Sequence, residues 1–466
     1  MNNTPAFPLA NFPFDIIEVI LGGIETRRDL LSFATASSAC KELVIPRHTE
    51  YRNLRIINNR PEIWQHLVQR SDLACNIREV VIVEVGSETR KRKPERFPIT
   101  FVEKTPTQVN LDDVEVVTLI LRVLGNMHDL QSFGWINPWN AQGLYRNVPN
   151  YQQDVFQTLK DCKSLAKLNI VDPTLPFDPP VPGPAENEAY PLWDIANLQA
   201  LSLLEMRWWP TGLDALISKS PNLQSLEFDT PVDTVHFVQC RFPQLRKLQL
   251  TAMGIDDEPA IADFLKHHPT IEDLNWYPST TSLHLEHGVL PHLKRLTSTP
   301  EFACSVLSDP TLRNRAVERV HKLLLTDATL AILGAIDTSH MRDLRFWSYR
   351  DLDSIHRLAE VCPQLTHLEI PKYGITARND TQSNYTVDDY ILALSKFPVL
   401  ECFLDPSLWL VLRRSGKEKI ERLAALCPKL ERLVHSSTQK NAIVDIVLSR
   451  DGGKVSWKEE TCFRDL

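Results

Sequence analysis

The feature that most constrains this chain is a short phrase that keeps returning. SPNLQSLEF starts at Ser220, FPQLRKLQL at Phe242, HPTIEDLNW at His268, LPHLKRL at Leu290, CPQLTHLEI at Cys362, FPVLECFL at Phe397 and CPKLERLVH at Cys427. The frame is x-P-x-L-x-x-L-x-φ, with φ apolar. Copies without the proline start at Ile77, Leu130, Leu165, Leu198, Val320 and Met341. Between Leu198 and Leu365 the copies recur every 21–27 residues, the spacing of a leucine-rich repeat. The L-x-φ part alternates as a strand with one buried face does. Upstream lies a helical stripe, as in Ile420, Leu423, Ala424 and Cys427, or Ile261, Phe264, Leu265 and His268. The residue before a proline is pushed out of the helical region, so each helix is expected to stop there. Each unit is then helix, stop, strand. Neither element buries its apolar face alone, so the units must stack. The expected fold is a curved α/β solenoid with strands on the concave side and helices on the convex side.

The slot before the proline holds Cys362 and Cys427, but also Ser220, Phe242, His268, Leu290 and Phe397. A metal ligand or nucleophile would not tolerate thiol, hydroxyl, ring and aliphatic side chains in turn. The slot therefore reads as a core position at a helix end, and no metal site is assigned.

Other properties narrow the class. No apolar run reaches the roughly 18–20 residues of a membrane span. MNNTPAFPLANFP lacks the charged and apolar regions of a secretory signal. Nine scattered cysteines without a C-x-x-C point to reduced thiols and a nuclear or cytoplasmic location. A net charge of -8 argues against nucleic acid as the main partner. Fifteen glycines against 32 prolines disfavour glycine-rich cofactor folds, and no cofactor is expected. DGGK at Asp451 and SGK at Ser415 lack the spacing of a phosphate loop, and no G-x-S-x-G or H-E-x-x-H occurs, so an enzyme is not expected.

Residues 7–56 do not follow the frame. Pro13 and Asp15 precede an apolar stripe of Ile16, Ile17, Ile20 and Leu21, which Gly22-Gly23 is expected to break. Asp29 is expected to cap a second helix carrying Leu30, Leu31, Phe33, Ala34 and Ser37. Pro46 closes a third apolar turn, Leu43-Val44-Ile45.

This stretch resembles an F-box, on Phe12-Pro13, Asp15, Ile16 to Leu21, Asp29-Leu30-Leu31 and the small-residue run Ala34 to Cys40. LVIPRHTEYRNLRI further resembles fungal F-box proteins in which this segment leads into leucine-rich repeats. Phe12 replaces the usual leucine, and no tryptophan follows Cys40. The resemblance divides the chain into an F-box at 9–46 and a leucine-rich-repeat-like solenoid at 47–466, with a proline-rich insertion at 172–191. It implies that Phe12, Pro13, Ile16, Ile17, Ile20, Leu21, Leu30, Leu31 and Ala34 bind a Skp-family adaptor. Through that adaptor the chain would join a cullin–RING ubiquitin ligase as a non-catalytic receptor for an unknown protein substrate. The rival reading is a repeat scaffold unconnected to ubiquitin, with these helices capping the open end of the solenoid.

Three further segments read structurally. The seven prolines between Asp172 and Pro191 fit an extended insertion rather than a ligand for a proline-reading domain. Arg90, Lys91, Arg92, Lys93 and Arg96 fit a solvated loop rather than a nuclear signal. His267, His268, His284, His287 and His292 have no cysteine among them, and His268 occupies the core slot.

In the L-x-x-L-x-φ frame the residues beside each strand leucine point away from the helices. They include Glu227, Asp229, Lys247, Gln249, Asp273 and Asn275. Tyr277, Arg345, Trp347, Tyr349, His367 and Glu369 are the expected target-binding residues, because aromatic and arginine side chains tend to carry interface energy. Trp276 should point into the core by the same register. Trp208-Trp209 fits either a loop anchor or a buried corner.

Overall fold

The computed structural model describes residues 12–24, 26–57, 60–83, 96, 98, 113–136, 151–171, 191–204, 213–229, 235–250, 258–278, 285–286, 288–309, 316–349, 351–370, 386–405, 408–437, 442–451 and 454–462. They form two compact units, the described residues up to Ser220 and those from Pro221 onward.

The first unit opens with four helices: α1 (Phe14–Gly23), α2 (Arg27–Ala34), α3 (Ser38–Val44) and the single turn α4 (Arg47–Glu50). Their starts are set by hydroxyl caps. The Thr26 side chain accepts from the Asp29 amide at 3.1 Å and donates to the Asp29 carboxylate at 2.7 Å. Ser37 accepts from the Cys40 amide at 3.1 Å. Both caps correct the expectation: Asp29 is the third residue of α2 rather than its cap, and Ser37 starts α3 rather than lying in α2. A hydroxyl three residues before an acid satisfies orphan amides from outside the helix, which the acid alone does less well. Gly22-Gly23 are the last two residues of α1, which stops there. Ile17, Leu21, Leu30, Ala34 and Val44 form a small core, with Phe12, Ile24, Phe33, Leu43 and Ile45 packed around it. Each fully buried leucine or isoleucine contributes about 1.5–3 kcal/mol, so this core is thin on its own. Two arginines beyond the helices anchor it. Arg78 donates to the Gly22 carbonyl at 2.7 Å and Arg52 at 3.0 Å, and Arg52 also reaches the Ile24 carbonyl. The carbonyls at the end of α1 thus meet positive charge, which a helix C-terminus favours.

Next come five parallel strands, β1 (Asn53–Ile57), β2 (Glu79–Val83), β3 (Ser132–Ile136), β4 (Lys167–Val171) and β5 (Ala200–Leu204), paired in chain order. Leu54, Ile56, Val80, Ile82, Phe133, Trp135, Leu168 and Ile170 are buried on one side of the ladder. The other side is not wholly open: Val83, Ile136 and Val171 form a second buried cluster there. Gly134 sits in its middle, where an added Cβ would stand 2.9 Å from both methyl groups of Val81. The strand centre has room for hydrogen only.

The second unit carries β6 (Ser225–Phe228), β7 (Lys247–Leu250), β8 (Asp273–Trp276), β9 (Arg295–Ser298), β10 (Arg319–Leu325), β11 (Asp343–Tyr349), β12 (His367–Glu369), β13 (Cys402–Leu404) and β14 (Arg432–Ser437), again parallel and in order. Helices between them carry the expected stripe. In Leu352–Val361, Leu352, Ile355, Leu358 and Ala359 are buried. One backbone carbonyl per repeat sets the pitch. That of Gln224 accepts from Arg246 and Lys247, that of Arg246 from Glu272 and Asp273, and that of Glu272 from Lys294 and Arg295, all at 2.8–2.9 Å.

The slot before the proline is buried in all seven copies: Ser220, Phe242, His268, Leu290, Cys362, Phe397 and Cys427. Its polar members are satisfied. Ser220 Oγ accepts from the Leu198 amide at 3.1 Å. His268 Nε2 accepts from the Phe242 amide at 2.9 Å, and its Nδ1 bonds the Phe264 carbonyl at 2.6 Å. Burial holds the His268 pKa down at about 4, against a smaller upward pull from that carbonyl. Burial likewise pushes the Cys362 thiol up to about 12 and the Cys427 thiol up to about 11.

Two elements fall outside the repeat assigned to 47–466. β15 (Ala442–Asp451) and β16 (Lys454–Cys462) form an antiparallel hairpin on β14. Arg450 on β15 donates to the Cys427 and Leu430 carbonyls at 2.9 and 2.8 Å, at the end of the last helix. Charges at Lys458, Glu459 and Glu460 line the outermost strand and discourage further pairing.

Candidate functional site

Two surfaces emerge, one in each unit. The nine positions expected to meet an adaptor separate by burial. Ile17, Leu21, Leu30 and Ala34 belong to the helical core. Phe12 packs against it and Pro13 starts α1 from an exposed position. Ile16, Ile20 and Leu31 face outward, 46, 43 and 42% exposed, and Val19, absent from the expected set, is 73% exposed. Positions 16, 19 and 20 share a face of α1. Four of the eight exposed large apolar residues among the described residues lie between 16 and 31, so this is where the first unit shows most unburied apolar surface. The sequence missed the division because α1 is apolar on more than one side, which periodicity alone does not resolve.

In the second unit, the register aligns the outward-facing residues in rows. One row runs Lys247, Asp273, Arg295, Arg319, Asp343 and His367; the next runs Gln249, Asn275, Thr297, His321, Arg345 and Glu369. The centre is Asp343. Its carboxylate lies 3.0 Å from Arg319 Nε, 3.3 Å from His321 Nε2 and 3.4 Å from Arg345 Nε, and Arg345 also reaches Glu369 at 3.5 Å. Burial pushes the Asp343 pKa up. The His321 imidazole 3.3 Å away and the charges beside it more than offset that and hold it at about 2. Burial in turn lowers the His321 pKa, against an upward pull from the Asp343 carboxylate beside it. Tyr349 hydroxyl bonds Tyr390 hydroxyl at 2.7 Å. Trp347 is 56% exposed, His367 is exposed, and Tyr277 is half-buried. Trp276 is fully buried, as the register required.

The expected residues Tyr277, Arg345, Trp347, Tyr349, His367 and Glu369 therefore all stand on β11, β12 or the residue after β8. Sequence reasoning missed Arg319, His321, Lys322 and Asp343. Asp343 was legible in principle, since MRDLRF places it at the same frame position as Asp273. Trp208-Trp209, the proline-rich segment up to Tyr190, and Arg90 to Lys93 lie outside the described residues. Among the described residues no group of three histidine, cysteine or acidic side chains could hold a metal, and no helix is long and apolar enough to cross a membrane.

No protein-family description matches the chain, and no curated protein does. Among solved structures it is similar to a chain of the yeast Rad7 and Elc1 complex. Identity there is 13% over 87% of this chain and 89% of that one, with a TM-score of 0.44.

Proposed function

We propose that the chain is the target-binding subunit of a cullin–RING ubiquitin ligase, with α1 and α2 acting as an F-box. They dock a Skp-family adaptor. The strand-and-helix repeats of the second unit act as a leucine-rich-repeat solenoid whose open strand face, its concave side, takes a protein target. The chain performs no chemistry itself. It brings a target into reach of ubiquitin transfer carried out by its partners, so its contribution is proximity and orientation. A cytoplasmic or nuclear location follows from that role.

The observation that carries the reading is the exposed row Ile16, Val19 and Ile20 on α1, with Leu31 on α2. Apolar side chains held outward while the same helices bury Ile17, Leu21 and Leu30 are a surface kept for a partner. The rival reading, a cap for the repeats, has support in the Arg52 and Arg78 bonds to the end of α1. A cap, however, has no use for the outward row, which it would bury or replace with polar residues. The test is reconstitution: the full chain is mixed with a purified Skp-family adaptor and a cullin and resolved by size exclusion. Co-elution of all three is the expected result; a chain that elutes alone refutes the assignment.

A further inference from the structure

The pairing of β10 with β11 contains an irregularity absent from the other parallel ladders among the described residues. Both strands are seven residues long, and their register shifts between His321 and Leu323 and again between Leu323 and Leu324. Lys322 and Trp347 are thereby left without ladder partners, one on each strand. Lys322 adopts φ 66°, a conformation that glycine takes freely and other residues take at a cost. Its ammonium lies 4.2 Å from the centre of the Tyr277 ring and 5.6 Å from that of Trp347. A lysine kept where glycine would be easier, bridging two aromatic rings, is a device for placing positive charge beside a flat apolar surface.

The charges around it are layered. The side chains of Arg295, Arg319 and Arg345 are 46, 44 and 43% exposed. The carboxylates that hold them, Asp273, Asp343 and Glu369, are less exposed, at 19, 7 and 28%. The acids lie beneath and orient the guanidiniums, and what reaches solvent is mostly cationic. Among the described residues no carboxylate pairs with Lys322. On a chain of net charge -8 this face is an exception that calls for an acidic counterpart.

We propose that the open face of β9 to β12 binds an extended acidic peptide segment with an apolar side chain next to aspartate or glutamate. The carboxylates pair with Lys322, Arg319 and Arg345, and the apolar side chain lies on the exposed indole of Trp347. The inference rests on the part of the proposed function that gives this face to a protein target, and not on adaptor binding.

The experiment is peptide display against the full-length chain, using random short peptides, with the best sequence resynthesised for anisotropy titrations. The expected selection is for Asp or Glu beside Leu, Ile, Phe or Trp, with affinity falling as salt rises. Lys322→Gly relieves the backbone and so keeps the fold while removing the ammonium; Trp347→Ala removes an exposed side chain. Each should weaken the selected peptide by about tenfold or more while leaving the thermal midpoint in place. Absence of selection, selection of basic or uncharged peptides, or unchanged affinity in both variants overturns the proposal. So does binding that appears only when a phosphoserine replaces the acidic residue. Adaptor binding is read separately: if it fails while acidic peptides are selected, the ligase assignment falls and this inference stands, and the reverse outcome removes this inference alone.

Discussion

Arg78 donates to the carbonyl of Gly22 at 2.7 Å across 56 residues of chain, and this bond joins the N-terminal helices to the start of β2. A Cβ at Gly22 would stand 2.9 Å from the Arg78 guanidinium, the far end of a flexible side chain that can shift to admit it. A hydrogen bond from a charged donor contributes about 1.5–3 kcal/mol, so Arg78→Ala should destabilise the chain by roughly that amount. Chemical denaturation measures it; a change under about 0.5 kcal/mol, within the range of ordinary surface substitutions, would show that the bond contributes nothing. Truncating residues 1–46 removes these acceptors from Arg52 and Arg78, so truncation destabilises the repeats whether or not the helices bind a partner. Point variants are therefore the way to separate the two roles.

His268 makes the fold acid-sensitive above the carboxylate range. Its pKa is about 4 in the folded chain against 6.5 for a free imidazole. Between those values the unfolded chain binds a proton that the folded chain does not, so stability is complete above about 6.5 and falls as pH drops towards 4. The slope is about 1.4 kcal/mol per pH unit for one such group. His268→Gln keeps an acceptor for the Phe242 amide and should flatten the fall in thermal midpoint between about pH 7 and pH 5. Identical slopes for the two proteins would contradict the assignment. His48, also buried and also held down at about 4, adds a parallel contribution that the variant leaves in place.

The two Cys-Pro pairs should be chemically silent. Cys362 and Cys427 are buried, and their thiols are pushed up to about 12 and 11. Thiolate is the reactive form, so iodoacetamide at mild alkaline pH should spare both in the folded chain and label both in denaturant. Mass spectrometry of the peptides reads the outcome. Rapid labelling of either one without denaturant would mean that the slot is open to solvent.

Much of the fold was legible because its grammar is local. A proline stops the helix, leucines at fixed offsets bury one side of the strand, and the described strands from β2 to β14 fall on the copies of the frame. β1 escaped notice because NLRII has neither the proline nor the leading leucine, and the hairpin of β15 and β16 because it lacks the frame and β15 runs antiparallel to β14, as β16 does to β15. The candidate surfaces were legible in part. Trp347 and Arg345 follow from alternation alone. Lys322 does not, because a bulge inserts a residue that alternation cannot count, and its φ of 66° is invisible in a lysine. Likewise Ile17 and Ile20 look equivalent in sequence, and only packing against Leu30 and Val44 turns one inward and leaves the other out.

The central claim, that α1 and α2 present an adaptor-binding surface, is tested most directly by titrating a purified Skp-family adaptor into three versions of the full chain by calorimetry. The wild type should bind. Ile20→Asp with Leu31→Asp should keep the wild-type thermal midpoint and lose binding, because both side chains are exposed. Ile17→Asp should lower the midpoint sharply, because it places an unpaired carboxylate in the helical core. A wild-type chain that does not bind the adaptor, or a folded Ile20→Asp, Leu31→Asp chain that binds it equally well, would contradict the claim.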